Sequence, residues 1–536
     1  MLTIISVYIP IVFFMIIGLS KRSSNLNTSL GFYKGGREAL TKEYRDTTVA
    51  FSLQVAVTVY FIYWGFHYGW GNLFYIFSWY IGLFIFYKFA KYLLPAIKSF
   101  DTMFQFISSK SGKSVQKLLS ILTILSLLGL VYVEIFMTSD FVSKTIKSDL
   151  NISDSSMWFW ISLVVITFSS ISYTSLGGFK RVVATDTVQL SFAYIASSIL
   201  FISLFPYLIK NSIFTLLVIA IPTILIYWLI GYNGKKNKGS STYAFLSSYL
   251  LFFSLVLIII LNFSSLKLNL TNILPKGLFS QINEPWGWVP LIGFCISNII
   301  WQFSDYTAYH RLSGLHLPEN KDQQLKFIEG CLKSTLITSP LTWGIGIVLG
   351  MAIYSCNIID PNSLNVFNDF IDFLIKKSHS GMFFSKLGLI SLGIFITSVL
   401  LSTTDSTFLA TSEVFESDLI NKKLNFSRRI ILLFVLALIV LCFSIIHLVF
   451  KYDVLIFLNG IYSLSLIIAP VMFLALLKER INPISIYISI ILGVLIGFYF
   501  VISPPNINYS ILLVLPTLSA LLVSTSTLFI FGKILK

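Results

Sequence analysis

The strongest chemical signal in this sequence is a polar run inside an apolar segment, Ser398-Val-Leu-Leu-Ser-Thr-Thr-Asp-Ser-Thr407. At helical spacing, one face of this run carries Val399, Ser402, Thr403 and Ser406, and an overlapping face carries Ser402, Asp405 and Ser406. Small hard cations such as calcium and magnesium prefer oxygen ligands, so two such faces suit one or two Na⁺ ions. The ordinary alternative is that the hydroxyls bond to their own helix or to a neighbouring helix.

A second signal runs from Ser175 to Gln189. Gly177 and Gly178 interrupt a predicted helix, two basic residues follow, and Asp186 lies about one turn into the next predicted helix. A tight turn, with an acidic side chain near the positive N-terminus of a helix, explains this pattern without any function. Taken by itself, the pattern favours that structural explanation.

A third polar run closes an apolar segment between Trp301 and Arg311 and contains Asp305, Tyr306 and Thr307. Aromatic and basic side chains collect in this way at a membrane interface. The functional alternative is one half of a broken helix that lines a solute cavity near the middle of the bilayer. Glu134 is a separate candidate, because a carboxylate deep in an apolar segment is costly. It either binds a cationic group of a solute or, while protonated, bonds a neighbouring helix.

The composition indicates that these candidate residues lie on membrane-spanning helices. Of the 536 residues, 56% are hydrophobic and 11% are charged, and the mean hydropathy is +0.84. A soluble domain has roughly 25% charged residues. Apolar stretches of about 18 residues or more, long enough to cross a bilayer, recur along the whole chain. The sequence therefore predicts an all-α polytopic membrane protein with a single membrane domain over 1–536.

Hydropathy predicts about fifteen membrane spans. They cover residues 2–19, 47–66, 72–89, 118–142, 157–173, 182–208, 213–232, 243–261, 288–309, 332–354, 387–414, 430–450, 455–477, 484–502 and 511–531. Most of the 38 Lys and Arg residues lie in every second segment between the spans, and therefore on one side of the membrane. By the positive-inside rule that side is the cytoplasm, which puts the N-terminus outside and the C-terminus inside. The composition is typical of a bacterial inner-membrane protein, so we expect a multi-pass plasma-membrane protein.

The same arrangement explains the net charge of +15 without a nucleic-acid partner. No segment outside the predicted spans is long enough for a catalytic domain, and the sequence contains no phosphate-binding glycine motif. It also offers no metal cluster and no hydrolytic triad. We therefore expect a protein that is not an enzyme, with the lipid bilayer and a small solute as partners and no obligatory protein partner.

Together the three polar runs resemble the sodium:solute symporter family, whose members carry sugars, amino acids, sialic acids, vitamins and carboxylates. The family pattern after the fourth core helix is matched by Gly177, Gly178, Val182, Thr185, Asp186 and Gln189. The pattern of the eighth core helix is matched by Ser402, Thr403, Asp405, Ser406, Leu409, Ser412, Asp418 and Leu419. The run from Asp305 to Arg311 resembles a family run ending in Gln-Arg, with His310 in place of the Gln.

The resemblance implies a LeuT-like inverted repeat of five plus five helices. Residues 1–46 would form an extra N-terminal helix and inner loop, 47–208 the first repeat and 286–477 the second. An inserted helical hairpin would occupy 209–285, and 478–536 would add two C-terminal helices. The implied function is a Na⁺-coupled secondary active symporter that imports a small polar organic solute such as a sugar, an amino acid or a carboxylate.

The resemblance also implies binding roles. The first Na⁺ would be bound by the side-chain oxygens of Ser402 and Thr403, the carbonyl of Val399, and backbone oxygens at a break in the first core helix, placed at Val55 and Thr58. A second Na⁺ would be bound by Asp186 together with Ser402, Asp405 and Ser406. The Tyr306–Thr307 region, next to Asp305, would form the inner gate. We further expect Glu413, Glu416 and Asp418 to pair with nearby cations at Lys422, Lys423, Arg428 or Arg429.

Three other functions fit the same sequence. The coupling ion could be H⁺, with Asp405 or Asp186 as its carrier. The chain could instead be a solute sensor that no longer transports, because the segment from Val55 to Ile62 lacks the small, helix-breaking residues expected at an unwound helix. A membrane enzyme acting on lipid is the third, and the five dispersed histidines argue against it.

Overall fold

The computed structural model describes residues 4–20, 26–69, 73–150, 155–208, 288–450, 452–478, 480–505 and 509–534. This part of the chain is helical, with one isolated β-bridge between Ala39 and Leu315. The predicted hairpin at 209–285, with its spans 213–232 and 243–261, lies outside the described residues. The division into two five-helix repeats stays a prediction.

The α-helices in chain order are α1 (Ile9–Ser20), α2 (Ser29–Lys34), α3 (Thr41–Leu53), α4 (Val55–Tyr68), α5 (Leu73–Lys88), α6 (Ala90–Ser99), α7 (Met103–Ser111), α8 (Lys113–Leu150), α9 (Ser156–Leu208), α10 (Trp288–Ser304), α11 (Tyr306–Ser313), α12 (Lys321–Ser355), α13 (Val366–His379), α14 (Phe383–Val414), α15 (Phe426–Phe450), α16 (Val454–Leu466), α17 (Ile468–Leu477), α18 (Pro483–Ile502), α19 (Tyr509–Leu512) and α20 (Leu515–Ile534). Short π-helical segments, Ile4–Tyr8 and Phe415–Ile420, precede α1 and follow α14, and a 3₁₀ turn, Gly35–Arg37, follows α2.

The number of membrane spans differs from the sequence prediction. Among the described residues, 7 helices are long and apolar enough to cross a membrane, or up to 9 if each of two bent pairs counts as one span. The chain is thus a multi-pass membrane protein, but about fifteen spans are not supported. Hydropathy counted helices that the structure makes short or bent: the apolar parts at Ile5–Leu19 and Thr342–Tyr354 are below full length, and α10 has only 17 residues.

Two of the predicted spans, 157–173 and 182–208, lie in the single helical element α9, which folds back on itself at Gly178. The backbone there has φ 59° and ψ −157°, which is not helical. The Gln189 side chain donates a hydrogen bond of 3.3 Å to the Tyr173 hydroxyl. Sixteen residues of straight helix would separate these positions by about 24 Å, so the chain must reverse between them. Glycine is required at the turn, because a Cβ on Gly178 would lie 2.3 Å from the Phe32 carbonyl oxygen.

Two further breaks interrupt helices near the centre of the protein. Helices α3 and α4 meet at an angle of 58°, and the residue between them, Gln54, has φ 29° and ψ 134°. Helices α10 and α11 are separated by Asp305, whose backbone is extended. Both breaks leave backbone groups outside the regular helical hydrogen bonds, which is tolerated at membrane depth only where protein or a water-filled cavity surrounds them.

Helix α14 is the central element, and it carries the polar run Ser398–Thr407. Every side chain from Phe395 to Val414 is buried, and α9 packs along it. The most apolar windows of α15, α18 and α20 are only 39%, 39% and 33% buried, compared with 72% for α14, so these helices lie at the periphery. A helix that is buried all round while carrying this many hydroxyls must place them against other polar groups of the protein.

Candidate functional site

The side chain of Asp186 joins three helices at one buried point. Its Oδ1 accepts a hydrogen bond of 2.7 Å from the Ser402 hydroxyl of α14, and its Oδ2 accepts one from the Thr47 hydroxyl of α3. All three side chains are at most 3% exposed. The structure thus brings together two residues that the resemblance assigned to Na⁺ and adds Thr47, which belongs to the first half of the bent helix.

The second carboxylate of this centre, Asp405, is bound mainly from α9. The Tyr173 hydroxyl donates to its Oδ2, and the amide N–H of Ser406 donates to its Oδ1. Asp405 and Asp186 are both fully buried. Among the described residues, no Lys, Arg or His nitrogen lies within 4.0 Å of either carboxylate. Arg311 reaches this centre only through Thr47, whose hydroxyl lies 3.4 Å from the Arg311 Nε, so one positive charge stands near two carboxylates without a direct ion pair.

The remaining residues of α14 assigned to the first Na⁺ contact their own helix. The Thr403 hydroxyl donates a hydrogen bond of 3.1 Å to the Val399 carbonyl. This is the helix-internal contact that the ordinary explanation of a polar run predicts. A hydroxyl that donates its proton keeps acceptor lone pairs, so Thr403 and Val399 retain oxygen atoms able to contact a cation.

The first helix break lies at Gln54, directly before Val55. The Thr58 hydroxyl is 2.9 Å from the carbonyl oxygens of both Leu53 and Gln54. The Glu134 carboxylate of α8 accepts hydrogen bonds from the amide N–H groups of Val55, at 2.7 Å, and Ala56, at 2.9 Å. Of the two alternatives for Glu134, the described contacts are those of a carboxylate bonded to a neighbouring helix.

At the second break, the side chain of the break residue caps the N-terminus of α11. Asp305 Oδ1 accepts from the Thr307 amide at 2.9 Å and from the Thr307 hydroxyl at 2.6 Å. Tyr306 points elsewhere, because its hydroxyl donates to Glu413 at the C-terminal end of α14, at 2.8 Å. The predicted gate residues therefore face two different surroundings.

A cavity lies between the two breaks. Gln54 and Asp305, the two break residues, both contribute to its wall. The wall is otherwise rich in aromatic and uncharged polar side chains, including Phe51, Tyr60, Trp79, Phe294, Trp343 and Tyr462 with Asn298, Gln302, Ser339 and Asn459. A concave, mostly apolar cavity with a few convergent polar groups is the usual form of a small-molecule site.

Acidic residues at the C-terminal end of α14 hold distant segments together. Glu416 binds Arg429 at 2.8 Å, which confirms one predicted pair. The predicted partners of the other two acids are wrong. Glu413 lies 3.4 Å from Lys34 of α2. Asp418 accepts hydrogen bonds from the side chains of Thr102, Gln116 and Ser120. These two acids contact side chains that lie far away in sequence, whereas Lys422, Lys423 and Arg428 are exposed.

Sequence reasoning missed Thr47, Tyr173 and Lys34 as parts of this region. Thr47 is 139 residues from its partner Asp186, and Tyr173 is 232 residues from its partner Asp405. A single hydroxyl in an apolar helix carries no signal of so distant a partner. Only the coincidence of Tyr173 with the Gly177–Gly178 turn, which brings α9 back past α14, could have pointed to it.

No protein-family model and no curated protein matches the chain. Its structure is similar to that of a Na⁺-coupled sialic acid symporter in a substrate-bound outward-open state, with a TM-score of 0.67 at 14% sequence identity over 99% of this chain and 98% of that chain. It is also similar to a transporter of the nucleobase-cation-symport-1 family in a closed conformation with bromovinylhydantoin bound, with a TM-score of 0.51 at 11% identity over 95% and 96% of the two chains. These similarities show a shared transporter fold and agree with the resemblance found in the sequence. Both of these proteins are described as transporters.

Proposed function

We propose that the protein is a Na⁺-coupled secondary active symporter that imports a small polar organic solute. Two proteins of similar fold couple transport to Na⁺ or another cation in their descriptions. The solute would occupy the cavity between the breaks at Gln54 and Asp305. In keeping with the charge distribution along the sequence, we further propose a plasma-membrane location with the N-terminus outside.

The observation that carries this proposal is a pair of buried carboxylates that share one nearby cation, Arg311, and form no direct ion pair with it among the described residues. Asp186 and Asp405 are both 0% exposed, and neither has an ion-pair partner among the described residues. A buried charge is stable only when it is paired or bound to an ion. The Ser402 and Thr47 hydroxyls beside Asp186 supply further oxygens of the kind that Na⁺ prefers.

Na⁺ at this point would couple ion and solute through α3, which contributes Thr47 to the carboxylate centre and Thr48, Phe51 and Ser52 to the cavity wall. Thr47 lies in α3, the first half of the bent helix, and Ser402 lies in α14. The other end of α3 meets the cavity at Gln54. An ion that binds more tightly to one arrangement of α3 and α14 shifts the population toward that arrangement, and the solute does the same from the cavity.

The test combines Na⁺ binding with transport. Purified protein is heated in increasing NaCl, with choline chloride keeping ionic strength constant, and the midpoint of unfolding is recorded. We expect Na⁺ to raise the midpoint. We expect the double variant Ser402→Ala/Thr403→Ala to raise the half-saturating Na⁺ concentration by about tenfold or more, since a hydrogen bond or ligand contact to a charged group contributes about 1.5–3 kcal/mol. Na⁺-dependent uptake into proteoliposomes should be lost while membrane insertion is kept.

Ser398→Ala is the matched control. Ser398 is buried on the same helix, about one turn earlier, and within the described part of the chain its hydroxyl bonds only the Ile394 carbonyl, at 2.8 Å. The control should respond to Na⁺ as the unchanged protein does. Undiminished Na⁺ dependence in the double variant would remove the proposal. Stabilisation by acid in place of Na⁺ would assign H⁺ as the coupling ion, and solute binding without any counterflow would assign a sensor.

A further inference from the structure

The cavity between the two breaks contains one positive and one negative side chain. Among the described residues that line it, Arg311 and Asp305 are the only charged ones. No oxygen of Asp305 lies within 4.0 Å of an Arg311 nitrogen. The wall is therefore neutral overall but carries two separated charges.

Arg311 is buried without an ion pair. Its side chain is 2% exposed, its Nη1 donates to the Thr307 hydroxyl at 3.0 Å, and its guanidinium lies 4.2 Å from the centre of the Phe51 ring. Its Nε makes a long contact of 3.4 Å with the Thr47 hydroxyl. Nη2 has no hydrogen-bond partner among the described residues. A buried cation with a free donor at a cavity wall is expected to have an acidic ligand.

A second unpaired donor lines the same cavity. The amide nitrogen of Gln302 has no partner among the described residues, although the side chain is only 6% exposed. Leaving a buried donor unpaired costs about 1–3 kcal/mol, which a ligand oxygen would recover. Arg311 and Gln302 therefore both favour a solute that carries hydrogen-bond acceptors.

Asp305 provides the opposite charge. Both hydrogen bonds from Thr307 go to Oδ1, at 2.9 and 2.6 Å. They leave Oδ2 as the carboxylate oxygen able to accept from a ligand, and the side chain is only partly buried. A carboxylate in a cavity lined by aromatic rings favours a cationic donor on the solute, since ring faces attract the same group.

The helix ends at the breaks do not compete for the acidic group of a solute. A free helix N-terminus is an anion site. Here the N-terminus of α4 is bound by Glu134, and that of α11 is bound by Asp305. Arg311 Nη2 is left as the charged donor for a solute carboxylate. The Gln302 amide and the Thr48 and Tyr60 hydroxyls are uncharged cavity donors that also lack a partner among the described residues.

From these contacts we infer that the solute is a zwitterion with an apolar body, such as an amino acid with a large apolar side chain. Its carboxylate binds Arg311 Nη2 with help from Gln302, its ammonium group binds Asp305, and its body packs against the aromatic wall. The inference rests on the proposed function, because it takes the cavity as the solute site. A net-neutral solute matches the neutral wall.

The test uses probes that share one ring and differ in charge. The full-length protein in NaCl is heated with L-phenylalanine, with 3-phenylpropionate, which lacks the ammonium group, with phenethylamine, which lacks the carboxylate, and with D-glucose as an uncharged probe. We expect L-phenylalanine to stabilise the protein and each single-charge probe to need about a tenfold higher concentration, as the loss of one charge-assisted contact of about 1.5 kcal/mol requires.

Asp305→Asn sharpens the test, because asparagine caps a helix nearly as well as aspartate. The variant should lose the preference for L-phenylalanine over 3-phenylpropionate. Asp453→Asn is the control: Asp453 caps α16 through the Leu455 and Ile456 amides, each at 2.9 Å, and does not line the cavity. It should keep the preference.

The inference is overturned if L-phenylalanine does not stabilise the unchanged protein, if a single-charge probe or D-glucose binds as well, or if Asp305→Asn keeps the preference. A protein that responds to Na⁺ but not to L-phenylalanine would end this inference and leave the proposed function in place. A protein that binds L-phenylalanine with no response to Na⁺ would contradict Na⁺ coupling and leave the assignment of a zwitterionic solute in place.

Discussion

The two helix breaks that border the cavity are stabilised in different ways. At Gln54, the first two amides of α4 are bound by Glu134, a residue of another helix 78 and 79 residues away in sequence. At Asp305, the broken end of α11 is bound by the side chain of the break residue itself. The first break depends on how α8 packs, whereas the second is built into its local sequence.

This difference predicts which break can move independently. An angle change between α3 and α4 must keep Glu134 in contact with Val55 and Ala56 or break two buried hydrogen bonds to its carboxyl oxygens, so α4 and α8 are expected to move together. Helix α11 carries its cap with it. Its constraint comes from outside the cavity, where Tyr306 bonds Glu413 and Glu413 meets Lys34.

The largest effect is expected at Glu134. Glu134→Ala leaves two buried amides unpaired, at about 1–3 kcal/mol each, so the free energy of unfolding should fall by about 2–6 kcal/mol. Thermal or denaturant unfolding in detergent measures the loss. Glu134→Gln keeps one acceptor and should lose about half as much. An alanine variant as stable as the unchanged protein would contradict the role of Glu134 in the first break.

A smaller effect is expected at Asp305. Asp305→Ala removes an N-cap, which typically costs about 1 kcal/mol and at most about 2 kcal/mol. Asp305→Asn should change the free energy of unfolding by only a few tenths of a kcal/mol, measured in the same way. If Asp305→Ala is as destabilising as Glu134→Ala, the two breaks do not differ as described.

The smallest effect is expected at Thr58. Thr58→Val removes a hydroxyl that lies 2.9 Å from the Leu53 and Gln54 carbonyls, and a neutral hydrogen bond contributes about 0.5–1.5 kcal/mol. Unfolding should shift by about 1 kcal/mol or less, while the half-saturating Na⁺ concentration should rise if this hydroxyl also contacts the ion. A loss of stability above that for Asp305→Ala would show that Thr58, not Glu134, holds the first break.

The sequence could predict what is local along one helix. The oxygen-bearing faces around Ser402 follow from helical spacing alone, and the structure buries them and places Ser402 in a hydrogen bond with Asp186. The first break was placed at Val55 and Thr58, and the structure bends the helix at Gln54, one residue before Val55. The β-branched residues after it disfavour a regular helix only slightly, and the contacts that hold the bend come from Glu134 and Tyr462 of other helices.

What the sequence could not predict depends on contacts across the fold. Hydropathy measures how apolar a segment is, but not whether a helix is bent, as α3 and α4 are, or stops early, as α10 does at Ser304, so the predicted number of spans is not supported. The partner of Glu413 was sought among cations close in sequence, and the structure supplies Lys34 from a segment more than 370 residues earlier. Coulomb attraction depends on distance in space.

Gln54, the residue at the first break, links a solute in the cavity directly to the angle between α3 and α4. A residue with a Cβ resists a φ of 29°, so the bend is held against the preference for regular helix. The side chain of Gln54 is anchored by the Tyr462 hydroxyl at 2.8 Å, and both residues face the cavity. A molecule in the cavity that accepts the hydrogen bond of the Tyr462 hydroxyl would release the Gln54 side chain and let the angle between α3 and α4 change. The fraction of protein with a solute in the cavity and the angle between α3 and α4 would then change together, with no further residues needed to connect them.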